Sequence, residues 1–289
     1  MEKTLALILI GMAVTASAGE EVDLAEAAAP DGLVKIVNVR GDIRIEGWDR
    51  EEITVKGELD DLAEELIFTV NGRKALIEVK MPRRNVNWGD GSDLEIRLPF
   101  HSRVDFEGVS SEVSVIDVQG GLRVKSVSGD IDADQIGDRM LISSVSGRIK
   151  LEECKGTLRA STVSGDLSVD AHTGAVDLES VSGEIDLKTA ANDKLHVRSV
   201  SGEIEIEARL EQGTGVDINS VSGDVDLEIV GDVNAHFDLD AGMGGEISNE
   251  LSDATVETSF MGRERLTTSI GDGDSRVMIR TVSADIKIE

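Results

Sequence analysis

Carboxylates are the most abundant reactive groups in this chain, and a short motif places them at regular intervals. Asp and Glu number 57 in 289 residues, against 29 Lys and Arg, for a net charge of −28. The densest block is Glu184/Asp186, Glu203/Glu205 and Asp224/Asp226, three acid-x-acid groups following one another at intervals of 19 and 21 residues. Oxygen-only ligands of this kind suit Ca²⁺, so the block is expected to attract cations, with bridging of neighbouring acids as its strongest form. The competing and preferred expectation is a solvated acidic face that keeps strands soluble, because strand side chains diverge and calcium sites recruit backbone carbonyls. Two correctly spaced acids are also all that glycoside hydrolysis needs. No pair here is set apart from its neighbours, however, and two Trp, five Phe and no Tyr leave little with which to build a sugar-stacking cleft. A polysaccharide-cleaving enzyme therefore ranks below a binding or structural role.

Other chemistry has less support. His101, His172, His196 and His236 include no pair at metal-ligand spacing, and Cys154 is the single cysteine, which argues against a zinc site and permits no internal disulfide. A buried thiol is expected. There is no G-x-S-x-G, phosphate loop or dinucleotide fingerprint. Ser128, Ser146, Ser164, Ser182, Ser201 and Ser222 recur at equivalent positions, whereas a nucleophile needs one serine activated by a base; the column reads as a structural hydroxyl ladder. The strong negative charge repels phosphate backbones, which excludes nucleic acid as a partner.

The elements that must carry these groups come from a repeat. Units beginning at Gly108, Ser126, Ser144, Thr162, Ser180, Ser199 and Ser220 read S-V-S-G-[DE]-[IV] with small variations, spaced by 18, 18, 18, 18, 19 and 21 residues, and a last copy begins at Thr281. Apolar residues alternate within each unit, as in strands. Aligned, the units give five apolar columns, which begin with Leu122, Val124, Val127, Ile131 and Ala133; the third runs Val127, Val145, Val163, Val181, Val200, Val221. One unit cannot bury such side chains alone, but stacked coils about 4.8 Å apart can. The expected fold is all-β, a parallel β-helix-like β-solenoid of about 18-residue coils over residues 106–289, with the Ser-Gly pair as a turn where Gly takes positive φ. Outward positions of the second strand of each coil, from Asp130/Asp132/Asp134 to Asp224/Asp226/Glu228, hold fourteen acids and three bases, so the acid excess lies on one face.

Residues 31–105 lack the strict period and are expected to be an irregular β section capping the solenoid, with a short helical piece at Leu59–Leu66. Glu20–Pro30 is acidic and Ala-rich, and residues 19–30 are expected to be a flexible lead-in. At the start, Lys3, the apolar run Leu5–Val14 and Ala16-Ser17-Ala18 have the layout of a secretory signal peptide cleaved after Ala18. No later segment is apolar enough to span a bilayer, so the mature chain is expected in the periplasm, at the cell surface or secreted.

The sequence resembles the bacterial putative-adhesin family of β-strand-repeat proteins, whose function is unknown. The resemblance rests on Val34–Asp49 (VKIVNVRGDIRIEGWD), on Leu94–Pro99 leading into the serial S-V-S-G units, and on the ending Ile270–Ile288, with Ala284 where the final unit usually has Gly. It implies a β-solenoid in the envelope and transfers no catalytic residues. The expected function is therefore an exported, non-enzymatic, adhesin-like protein that binds an envelope or surface component, protein or glycan. The second expectation is a scaffold or assembly subunit. Because the chain stops inside a strand at Ile286–Glu289, an uncovered last coil could template end-to-end self-association.

Overall fold

The computed structural model describes residues 14–16, 21–82, 90–191 and 194–289. Every regular element among them is a β-strand, and no helix is long and apolar enough to cross a membrane. The expected signal peptide lies outside the described residues except for Val14–Ala16, a short strand antiparallel to Glu65–Asn71. The chain forms two compact units, Met1–Val124 and Lys125–Glu289.

The first unit is organised by one long strand, Leu33–Trp48. It runs parallel to Arg103–Ile116 along nearly its whole length. On its other side its first half pairs with Lys74–Lys80 and its second half with Asp93–Pro99. Val34, Ile36, Ile43, Ile45, Val104, Phe106, Val113 and Val115 point inward and are buried, as alternation requires. Two expectations fail here. Glu21–Ala27 is no loose lead-in but a strand antiparallel to Glu52–Glu58, because the alternating Val22 and Leu24 give it one apolar face. Leu59–Leu66 contains a turn and no helix. The buried Asp60 explains this: its carboxylate accepts the Leu62 amide (2.8 Å) and binds the Arg40 guanidinium through Nε and Nη2, an Asx-type arrangement that competes with helix.

The second unit is the β-solenoid. One ladder stacks Met140, Leu158, Val176, Leu195, Val216 and Val277 in register. The other stacks Ile131, Ile149, Leu167, Ile185, Ile204 and Val225. Four of the five apolar columns form the core as the repeat predicts. The third faces the opposite way: Val127, Val145, Val163, Val181, Val200 and Val221 are each between 44% and 49% exposed.

The corner chemistry explains the reversal. The first hydroxyl of each unit is buried and closes the turn: Ser144, Thr162, Ser180, Ser199 and Ser220 each accept the amide of the glycine three residues on, at 2.9–3.1 Å. Ser180, Ser199 and Ser220 also donate to that glycine's carbonyl. With the hydroxyl inside, the following valine must point out. The second serine then bonds between coils. Ser146, Ser164, Ser182, Ser201, Ser222 and Ser283 donate both amide and hydroxyl to the valine carbonyl of the preceding coil. The glycines differ from expectation too. Gly129 has φ +105°, but Gly147, Gly165, Gly183, Gly202 and Gly223 do not take positive φ; a Cβ on any of them would stand 1.8–2.0 Å from the glycine carbonyl oxygen of the coil before.

The last copy is not the last coil. Ser275–Thr281 lies parallel between Gly215–Ser220 and Ala235–Met243, and Ile286–Ile288 lies between Val225–Ile229 and Ile247–Asn249. The chain thus skips one level after Ile229, builds the coil beyond it, and returns to fill the gap. Arg263–Ile270 covers the outer edge of Ala235–Met243 as an antiparallel strand. The final strand is paired on both sides, so the ground for end-to-end self-association through an uncovered last coil is gone, and with it the observation that favoured a scaffold.

Asp240 latches this covering strand. Its nearly buried carboxylate binds both Arg263 and Arg265. Those guanidinium groups hold the Asp240 carboxyl below its ordinary value, as Arg40 does for Asp60. The unfolded chain therefore takes up these protons first as pH falls, so the stabilisation is complete above about pH 5 and is lost as pH drops through about 4 towards the folded values. Asp240→Asn is expected to cost about 1–2 kcal/mol at pH 7 and to flatten the acid limb of a melting-temperature profile. An unchanged profile would show that the latch does not contribute.

Candidate functional site

The outward valines form one wall of a groove that runs along the coil stack of the second unit. Successive valines are linked through the serine-to-valine-carbonyl bonds already described, so Val163, Val181, Val200, Val221 and Val282 form a continuous row. Val282 is 60% exposed. The groove has a volume of about 540 Å³ and is walled on one side by Val181, Val200, Val221 and Val282 and on the other by Glu179, Arg198, Asn219 and Arg280. Thr162, Ser180, Ser199, Ser220 and Thr281 make its floor. Five coils at about 4.8 Å give it a length of about 19 Å. A lone exposed valine needs no explanation, but a contiguous apolar strip does.

The polar wall is mostly satisfied from within. Arg198 is paired with Glu179 (3.0 Å), and Asn219 donates to Asp217 (2.9 Å). Arg280 forms no ion pair with any described residue; its Nη2 lies 2.7 Å from the Met278 sulfur. Its neighbours across the ladders are Asn219 and Asp240, and Asp240 is already held by Arg263 and Arg265.

The row has an apolar continuation in the terminal coil. Gly242 packs over the Val282 carbonyl, and Met243 after it is 66% exposed. Met243 lies opposite Arg263, where the hairpin turn carrying Phe260 and Met261 closes. Phe68, Phe106 and Phe237 are fully buried, while Phe260 stands wholly in solvent.

The expected cation-attracting block is assembled on the other strand face. Asp186, Glu205 and Asp226 are in register on successive coils, and with Lys188, Glu207, Glu228 and Glu289 they line a shallow recess of about 240 Å³. The sequence suggests no relief of charge here, but the intercalated final copy brings Lys287 to 3.6 Å from Asp226. Burial, then the Glu205, Asp166, Glu203 and Asp186 charges, raise the Glu184 carboxyl above its ordinary value. Among the described residues no three His, Cys, Asp or Glu side chains converge as a metal ion would require. Some of the acids have a backbone task that the repeat did not reveal: Asp130, Asp166, Asp224 and Asp285 accept the amide of Arg148, Glu184, Asp285 and Glu246 on the adjoining coil, at 2.8–3.1 Å.

The histidines stay apart. His172 is buried with Nε2 3.2 Å from the Gly156 carbonyl, and burial lowers its pKa. His196 Nδ1 is 3.5 Å from Asp217, His236 Nδ1 is 2.8 Å from Ser269 Oγ, and His101 meets Phe100 edge-on. Cys154 is a buried free thiol, pushed up to about 11 chiefly by burial, which keeps it protonated and unreactive. The valine row was the feature missed. Its signal was present: in S-V-S the valine sits between two hydroxyl residues, and only one parity can place a turn-closing hydroxyl inside.

A family model described as Toastrack DUF4097 matches residues 34–289. No curated protein matches the sequence. Among the solved structures that are similar, one is described as a putative cell adhesion protein from Clostridium sporogenes, at 12% identity and TM-score 0.25, covering 93% of this chain and 99% of that one; another is described as a putative adhesin from Bacteroides fragilis, at 12% identity and TM-score 0.44, covering 93% and 97%.

Proposed function

We propose, for a chain that belongs to the Toastrack DUF4097 family, an exported, non-enzymatic, adhesin-like function in which the valine-walled groove holds an envelope or surface component. The observation that carries this reading is the valine row itself. Six successive repeat units and the final copy all place a valine outward, next to a buried hydroxyl, and burying such a strip against a partner is favourable at about 25 cal/mol per Å². The groove's floor also favours binding over catalysis. Its serine hydroxyls are consumed in closing their own turns, donating to glycine carbonyls and not to a base as a nucleophile requires.

Co-sedimentation of the mature protein with intact envelope fractions tests the reading. Saturable binding is expected, reduced at least tenfold in Val181→Asn/Val200→Asn and retained in Glu203→Gln/Glu205→Gln and in chelator. Binding indifferent to the valines but abolished by chelator would move the site to the acidic face.

A further inference from the structure

The valine groove is an apolar concavity of the second unit, and its donors and acceptors limit what can occupy it. The turn-closing hydroxyls of Ser180, Ser199 and Ser220 each bond both the amide and the carbonyl of their glycine. The amides and carbonyls of the strands beneath are paired with the adjoining coils. An extended peptide laid in the groove would press the amides on its valine side against methyl groups, with partners only along the polar wall, at a cost of the order of a kcal/mol or more for each one left unpaired. A glycan would likewise leave the hydroxyls on its valine side unpaired, and no aromatic side chain lines the groove to stack on a sugar ring. A hydrocarbon chain carries no such groups. The valine methyls form one wall, and long arginine side chains present methylene stems on the other.

Charge supplies the second constraint. Arg198 has Glu179 as its partner, but Arg280, at the Val282 end of the groove, forms no ion pair with any described residue. A guanidinium left without a counter-charge in a chain of net charge −28 is a ready partner for a carboxylate or phosphate, which it can bind through two donors.

We infer that the groove takes an anionic amphiphile, a single acyl or alkyl chain lying along Val282, Val221, Val200 and Val181 with its carboxylate or phosphate head at Arg280. This rests on the groove being the binding face and names the chemistry of its occupant, a lipid-like component of an envelope. The length of about 19 Å and the volume of about 540 Å³ are in the range of small-molecule sites.

Displacement of the fluorescent probe 11-(dansylamino)undecanoate from the mature protein tests the inference, with competitors held below their micellar concentrations. Dodecanoate and dodecyl phosphate are expected to displace it, and 1-dodecanol to do so about tenfold less well for want of the charged hydrogen bonds. The better of the two anions identifies the head group. Arg280→Gln should remove the preference for the anions and leave 1-dodecanol unchanged, while Val200→Thr/Val221→Thr should weaken all three. All these side chains are exposed or line the groove, and unchanged melting curves would confirm that the variants fold. Equal displacement by dodecanoate and 1-dodecanol, or an Arg280→Gln variant with the anion preference intact, overturns the inference. If no amphiphile binds but envelope co-sedimentation still depends on Val181 and Val200, the amphiphile is wrong and the groove stands, with a polypeptide or glycan as occupant. If neither depends on the valines, both readings fall.

Discussion

Deleting Ser275–Glu289 is expected to unfold the end of the solenoid rather than shorten it by one coil. The deleted segment supplies Val277, Ile279, Ile286 and Ile288, all fully buried. At about 1.5–3 kcal/mol for each aliphatic side chain, their loss amounts to roughly 6–12 kcal/mol, comparable with the whole stability of a domain. The deletion also strips partners from four strands at once: Gly215–Ser220, Val225–Ile229, Ala235–Met243 and Ile247–Asn249. Because each coil of a repeat protein rests only on its neighbours, the damage should stay local. Limited proteolysis of the truncated protein is expected to cut throughout residues 210–274 while 126–206 stay protected, with a matching loss of β signal in circular dichroism. If the truncated chain shows the cleavage pattern and melting curve of the full one, Ser275–Ile288 does not lie between the coils of residues 215–229 and 235–249.

That expectation could not have been reached from the repeat alone, and the reason is specific. Register between adjoining coils is written in the sequence, because a shift of one residue would turn every inward Ile and Leu outward. The order of coils is not, since any S-V-S-G unit can stack on any other. The clue was the interval between Ser220 and Thr281, about three times the repeat length, which holds a degenerate coil, Gly242–Ile247, and a covering hairpin. The valine row failed for a related reason. Alternation counted back from the second strand predicts the wrong face, whereas counted on from the first it puts the serine inside and the valine out. The corner between them is legible only if the buried hydroxyl is recognised as the group that closes it. The same substitution of local bonding for periodicity undid the helix expected at Leu59–Leu66, where Asp60 and Arg40, twenty residues apart, fix a turn. What the sequence did make legible was the acid columns, whose composition needs no geometry to read. Their aspartates nevertheless hold backbone amides of the next coil, at Asp130, Asp166, Asp224 and Asp285, which composition alone could not distinguish from bare surface charge.

Gly183→Ala should be among the most damaging single methyls in the solenoid. The glycine column is explained by approach rather than by backbone freedom: Gly183 does not take positive φ, and its added Cβ would lie 1.8 Å from the Gly165 carbonyl oxygen and 2.5 Å from its carbonyl carbon. The obstacle is backbone in a coil that is itself stacked on another, so no flexible side chain can move aside. The coil must rise, which stretches the Ser182-to-Val163 bonds and parts the Ile185–Leu167 ladder. Overpacking of this kind costs about 3 kcal/mol or more, which at 2–4 °C per kcal/mol lowers the melting temperature by roughly 6–12 °C. Ala284 occupies the same column and tolerates its methyl, and the difference lies in connectivity. Gly183 is tied to its neighbours by connections of one coil length, whereas the final copy joins the stack after a long excursion, and its bonds to both adjoining coils keep ordinary lengths around the methyl (Ser283 N to the Val221 carbonyl 3.0 Å, Ile286 N to the Glu246 carbonyl 2.9 Å). Thermal melts of Gly183→Ala and Ala284→Gly, side by side, separate the two situations: a large loss in the first and a change within about 1 kcal/mol in the second. Two equal and small changes would mean that the glycines answer to the turn alone and that neighbouring coils do not crowd them.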